Sequence, residues 1–238
     1  MRTIIVALLV TVVMSSAAFS QNTAKNIALY DGVWVRSDLI DALKKTRSVP
    51  ASLRSVQAPS LPLAFVIDVR SDSIRSCMIA PSFHDSAHVP LPYQRVPSFG
   101  NRFIYNGQWV FAVDSMNGQY IAVYERTNAV EKPIVYARIP SKNRSTAFVL
   151  QRIVNASVLD GRWVDSAGGE YRFFSDQHAE WPAGTFAYTL TIEAGGRHRL
   201  QIVGGKLYSW ESDGNTLILY VPSDKGRKGR RTIRLQRN

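Results

Sequence analysis

Short apolar runs separated by glycine-containing pairs dominate the chain. The pairs are Asn106-Gly107, Asn117-Gly118, Gly168-Gly169, Gly195-Gly196, Gly204-Gly205 and Asp213-Gly214. Glycine accepts positive φ without steric cost, and two-residue hairpin loops need that geometry. Several of the intervening runs alternate. Leu63, Phe65, Ile67 and Val69 share one face, opposite Asp68 and Arg70. Phe186, Tyr188, Leu190 and Ile192 share another, opposite Thr189, Thr191 and Glu193. Period-two alternation predicts antiparallel strands with one buried face. The runs 109–113 and 217–220 are apolar on both faces. They fit covered strands, or barrel strands whose inner face lines a cavity. One helix is predicted over 38–47, with Ser37 as N-cap, acids Asp38 and Asp41 first and bases Lys44, Lys45 and Arg47 last. Leu39, Ile40 and Leu43 form its apolar stripe, and Pro50 helps to stop it. The proline-rich stretch 80–97 reads as an irregular loop.

The pattern occurs twice. Asp31-Gly32-Val33-Trp34-Val35 is matched by Asp160-Gly161-Arg162-Trp163-Val164. A three-strand meander over 102–125 is matched by one over 199–221. Tyr124 and Tyr220 each stand six residues past a turn glycine. Leu150-Gln151-Arg152 and Leu235-Gln236-Arg237 read as the strands that close each half. Such a duplication predicts a boundary near residues 155–159.

The N-terminus changes the setting. Arg2 is followed by an apolar run over 4–14 and small residues over 15–18, with Ala18 and Ser20 suiting a cleavage site before Gln21. This is the layout of a secretory signal peptide over 1–20, so export to the periplasm or beyond is expected. An 11-residue apolar run is short of the roughly 20 residues that span a bilayer, and no later run is longer. Cys77 is the single cysteine, so no internal disulfide can staple the fold. The formal charge is +11. For an exported chain that favours anionic lipid or glycan over nucleic acid. Much of the excess lies in Lys225, Arg227, Lys228, Arg230 and Arg231, spaced by Gly226 and Gly229. These five are candidate anion-binding residues on a charged hairpin tip.

Gly32-Val33-Trp34, followed by a capped helix, resembles the calycin superfamily, in which a Gly-x-Trp strand opens an up-and-down barrel. The order strand, helix, meander is similar to its fatty-acid-binding branch. The second half, from Asp160-Gly161-Arg162-Trp163 through Gly169-Glu170-Tyr171-Arg172-Phe173 to Tyr220, resembles exported bacterial lipocalin-like proteins. The resemblance implies a mainly β fold: an antiparallel up-and-down, lipocalin-like barrel with one short helix after the first strand. Two tandem halves are expected, 21–155 and 156–238. It also implies that Trp34 and Trp163 plug the barrel ends and that the helix forms a lid. The family holds a carboxylate with an Arg-x-Tyr pair near its C-terminus; here the nearest match is the reversed Tyr136-Ala137-Arg138.

Chemistry is sparse. His84 and His88 are four apart but flanked by Pro81 and Pro90, so no metal site is predicted. His178, near Asp176 and Glu180, reads as a polar turn. No nucleophile elbow, P-loop or dinucleotide fingerprint occurs, no cofactor is implied, and the balance is against an enzyme. The main expectation is a binding protein with a small apolar or amphipathic molecule in a barrel cavity. Its candidate lining is Leu39, Ile40 and Leu43 from the helix, Trp109, Phe111 and Tyr120 from the meander, and Tyr136 and Arg138 as polar anchors. The alternative is an envelope interaction protein with a filled barrel, binding anionic surfaces through the basic C-terminal hairpin.

Overall fold

Alternating runs joined by tight turns build two antiparallel sheets in the computed structural model. It describes residues 28–57, 60–70, 73–83, 85, 87–89, 93–95, 102–105, 109–113, 118–125, 132–193, 197–221 and 232–238. The second half closes its own eight-stranded barrel. Its strands are β10 (Gly161–Asp165), β11 (Glu170–Phe173), β12 (His178–Trp181), β13 (Gly184–Thr191), β14 (His198–Ile202), β15 (Leu207–Asp213), β16 (Thr216–Tyr220) and β17 (Thr232–Arg237). Each pairs with the next, and β17 returns to β10. This closed antiparallel barrel is compatible with a calycin-like fold.

The first half forms a nine-stranded sheet in the order β4-β3-β2-β1-β9-β8-β7-β6-β5. The strands are β1 (Gly32–Arg36), β2 (Ala64–Arg70), β3 (Ser73–Ala80), β4 (Ala87–Val89), β5 (Tyr93–Arg95), β6 (Arg102–Tyr105), β7 (Trp109–Val113), β8 (Tyr120–Glu125) and β9 (Ile134–Ile139). Its two edge strands are consecutive in the chain. Val89 and Tyr93 are four residues apart, so the edges lie within about 14 Å of each other and the sheet must curl. The second half shows the same circuit with that strand unbroken. In β13, residues 184–187 pair with β12 and residues 188–191 pair with β14. In the first half β4 pairs with β3, and β5 pairs with β6. The sequence between them is Pro90-Leu91-Pro92, and proline has no N–H to give a ladder. The stretch read as an irregular loop therefore holds two three-residue strands, too short to display alternation.

The seams of the two halves are built alike. Trp34 lies opposite Arg138 across β1–β9, and Trp163 lies opposite Arg237 across β10–β17. Each indole is fully buried and donates to the carbonyl four residues before it, Tyr30 at 2.8 Å and Leu159 at 2.7 Å. Each guanidinium covers the indole face, at 5.6 Å for Arg138 and 5.2 Å for Arg237. Each also donates to an aspartate carbonyl, Asp31 or Asp160. Gly32 and Gly161 take φ of 140° and 132°, and a Cβ on either would meet the arginine.

This register corrects one sequence expectation. Leu150-Gln151-Arg152 is not a closing strand; it lies in a helix, Thr146–Val154. The counterpart of Leu235-Gln236-Arg237 is Tyr136-Ala137-Arg138. Ile121 faces Tyr136 as Leu217 faces Leu235.

Among the described residues, three helices lie between the sheets: α1 (Ser37–Thr46), α2 (Val49–Ser55) and α3 (Thr146–Val154), the last running into a π turn over Asn155–Leu159. Only the first is predicted by the sequence pattern. Its N-cap is Arg36, not Ser37, which begins the helix. Pro50 does not end α1; it sits in the first turn of α2, where its missing N–H costs nothing, behind the Ser48 cap. Val33 and Val35 on β1, Leu39 and Leu43 on α1, and Val149, Val154 and Val158 join the buried residues of the closed barrel in one core. The other face of the first sheet builds a separate core around Trp34, Phe65, Phe111 and Tyr136.

The seam makes a test. Gly161→Ala should lower the unfolding free energy by about 1–3 kcal/mol, because it forces a β-carbon into a positive-φ backbone under Arg237. Denaturant titration reads the loss; an unchanged midpoint would mean that the seam tolerates a side chain there.

Candidate functional site

A cleft of about 280 Å3 opens where α2, the chain following β3 and the barrel rim meet. Leu53, Val56 and Leu63 line it from the first half with Phe83, and Ile192 from the barrel. Leu53 is 41% exposed, so an apolar wall faces solvent. Two charged groups border it, Arg36 and Glu193.

Arg36 is fully buried at the end of β1. Its Nε donates to Asp38 Oδ1 at 3.0 Å and one terminal nitrogen donates to Asp38 Oδ2 at 2.7 Å. It also reaches the carbonyls of Leu61, at 3.3 Å, and Gln57. Asp38 further accepts from the backbone N–H of Leu39 at 2.8 Å and of Gln57 at 3.3 Å. This ion pair fastens the chain between α2 and β2 to the start of α1, and so shapes one wall of the cleft. Sequence reading took Asp38 as a helix-dipole residue and passed over Arg36. The available signal was the spacing of a base and an acid two apart at a strand-to-helix corner.

The eight predicted lining residues do not meet in one place. Leu39 and Leu43 are buried, and Ile40 half-buried, in the core that joins the sheets. The helix is therefore a wedge at the junction, not a lid. Trp109, Phe111 and Tyr136 lie on the other face of the sheet, gathered around Phe65 at 5.9, 5.1 and 4.8 Å between ring centroids. The β1 backbone separates them from the helix. Tyr136 donates to the Pro62 carbonyl at 2.6 Å, and burial pushes its hydroxyl well above the ordinary tyrosine value. Tyr120 is 48% exposed, and Arg138 serves the seam over Trp34.

The closed barrel is occupied by rings. Trp181 stands 5.5 Å from Tyr171, 6.0 Å from Phe173, 4.7 Å from Phe186 and 5.3 Å from Tyr208. At its junction end, Tyr188 donates to Asn155 Oδ1 at 2.6 Å, and Asn155 donates to the Phe174 carbonyl at 2.9 Å. The π turn is thereby bonded to the barrel that it precedes. On the first half, Arg144 bridges Asp31 at 2.5 Å and Asp68 at 2.8 Å. Partial burial raises the Asp31 carboxyl, but hydrogen bonds from Arg144 and the Val69 N–H outweigh it and hold the group below the usual carboxylate value.

Lys225, Arg227, Lys228, Arg230 and Arg231 lie outside the described residues, as do residues 1–20 and His84. His178, read from the sequence as part of a polar turn, is the exposed first residue of β12, just past that turn, with its Nδ1 3.2 Å from Asp176 Oδ2. Among the described residues no group of three His, Cys, Asp or Glu side chains is placed to hold a metal, and no helix is long and apolar enough to cross a membrane. Comparison with protein-family profiles, curated proteins and solved structures finds no match for the chain.

Two tests follow from this geometry. Asp38→Ala should destabilise the fold by about 3 kcal/mol by stranding a buried guanidinium. Asp41→Ala, on the exposed side of the same helix, should change it little; equal effects would remove Arg36–Asp38 as the organising pair. Cys77 is buried, and burial pushes its thiol up to about 12. Below that value the protonated, unreactive form prevails, so native protein should resist alkylation at pH 8 and react once unfolded. Rapid labelling of the native chain would contradict this placement.

Proposed function

We propose that the chain is an exported, calycin-like binding protein that takes a small apolar or amphipathic molecule in the junction cleft. The cleft itself carries this reading: an apolar hollow between two sheets, bordered by one buried cation and one rim carboxylate. At about 280 Å3 it falls near the lower end of the roughly 300–1,000 Å3 usual for small-molecule sites. The occupant is accordingly a short chain or a single ring system. The leader-like N-terminus supports export, and the Gly-x-Trp seams support the calycin assignment.

A second reading is favoured by the ring-filled barrel. Rings spaced 4.7–6.0 Å apart around Trp181 suit a solid scaffold, which fits an envelope protein that binds anionic surfaces from outside.

The neutral probe 6-propionyl-2-(dimethylamino)naphthalene, a single fused ring system, tests the first reading. It should bind saturably with enhanced fluorescence. Leu53→Arg should weaken it about tenfold by placing a charge on the apolar wall, with thermal unfolding unchanged. Unaltered affinity in that variant would exclude the cleft.

A further inference from the structure

The chain carries 29 basic side chains against 18 acidic ones, yet the charge that the junction cleft offers a ligand is negative. Among the described residues, Arg36 is the one cation in its lining. That guanidinium lies side-on against Asp38 through two nitrogens, at 3.0 and 2.7 Å, and reaches the carbonyls of Gln57 and Leu61. Its charge is answered inside the protein. A ligand carboxylate that drew Arg36 away would unfasten that wall of the cleft and leave Asp38 without its buried partner, a costly exchange.

Two carboxylates stand at the mouth. Glu193, which follows β13, lines the cleft. Its Oε1 lies 3.1 Å from Arg199 Nε, with the two side chains 34% and 56% exposed. One oxygen facing one nitrogen, both within reach of water, makes an ion pair that contributes little and exchanges readily. The second carboxylate is Asp85, exposed beside the lining residue Ser82. Ser82 Oγ donates to Asp85 Oδ2 at 3.0 Å and accepts from the Asp85 N–H at 3.1 Å. Inside the mouth the walls are apolar, with Leu53, Val56, Phe83 and Ile192.

We propose that the occupant of this cleft is a small cationic amphiphile, an alkylamine or arylalkylamine. Its ammonium meets Glu193, and its apolar body lies against Leu53, Val56, Phe83 and Ile192. The ammonium replaces Arg199 at the carboxylate, and the guanidinium turns out to solvent. Asp85 adds attraction at the mouth without direct contact. A hollow of about 280 Å3 holds one ring system or a short chain, with the charged head left at the rim. A carboxylate of the same size would meet two like charges at the mouth and an arginine already paired. A neutral molecule would gain from the apolar walls alone. This inference rests on the cleft reading proposed above and adds the charge of the ligand to it.

Isothermal titration calorimetry at low ionic strength and pH 7 tests it with three probes of one shape: 1-naphthylmethylamine, 1-naphthalenemethanol and 1-naphthoate. The amine, protonated at that pH, should bind about fivefold more tightly than the alcohol, and the naphthoate more weakly than either. Glu193→Gln should bring the amine down to the affinity of the alcohol and leave the alcohol unchanged. Arg199→Gln removes the competing cation and should tighten the amine several-fold, again without effect on the alcohol. A merely structural role for the pair would shift both probes together. Near-UV circular dichroism should show both variants folded. If amine and alcohol bind wild-type protein equally, if the naphthoate binds best, or if Glu193→Gln weakens amine and alcohol alike, the cleft reading stands and the amine is excluded. If Leu53→Arg leaves the alcohol's affinity unaltered, or if no probe binds, both fall.

Discussion

A ring of strands exists only if its first and last members meet, and here one tryptophan and one arginine make that meeting in each half. Closing a ring joins residues far apart in the chain, and the lost loop entropy must be offset where the ends pair. Arg237 does three things there. It covers the Trp163 indole, it accepts the company of Gly161 where any side chain would crowd it, and it bonds the carbonyls of Val158 and Asp160. Those carbonyls close a helical turn and need external donors. The same contacts that shut the barrel therefore fix the chain that enters it. Because that chain is α3 and its π turn, the seam also sets how the barrel abuts the first sheet.

The two halves diverge at two points on an otherwise shared circuit. The β10–β11 connection is the short turn 166–169, whereas β1 and β2 are separated by α1 and α2. Inserting helices at that corner supplies Leu39 and Leu43 to the joining core and α2 to the cleft wall. The second point is the strand that β13 keeps whole. A strand that bonds one neighbour with its first residues and the other with its last needs donors throughout, and Pro90 and Pro92 remove two of them. The cleft thus arises from an insertion, not from hollowing of a barrel.

Much of this circuit was legible in the sequence because turn glycines and Gly-x-Trp depend on local backbone geometry. The meander 199–221 emerges as β14, β15 and β16 close to its predicted limits. The closing strand of the first half was not legible. Leu150-Gln151-Arg152 matched its supposed twin letter by letter, yet three residues carry no period that separates helix from strand. The true twin, Tyr136-Ala137-Arg138, shares only the arginine, since the seam specifies that residue and accepts Tyr136 or Leu235 as core filler. Arg36 was illegible for another reason. An arginine at a strand end reads as solvent-exposed, and its burial depends on carbonyls at Gln57 and Leu61, more than twenty residues away.

A barrel filled with rings cannot adjust its bore, and that rigidity has a consequence for the cleft. Strands of about five or six residues hold the rims roughly 17–20 Å apart. Exposed charges are screened over about 8 Å at physiological ionic strength. A charge at the far rim therefore does not perturb Glu193 at the cleft. A hollow, deformable barrel would couple the two ends, since filling it would shift both. The packed interior around Trp181 keeps them independent, so that a change at the far rim leaves the shape of the apolar cleft unaltered.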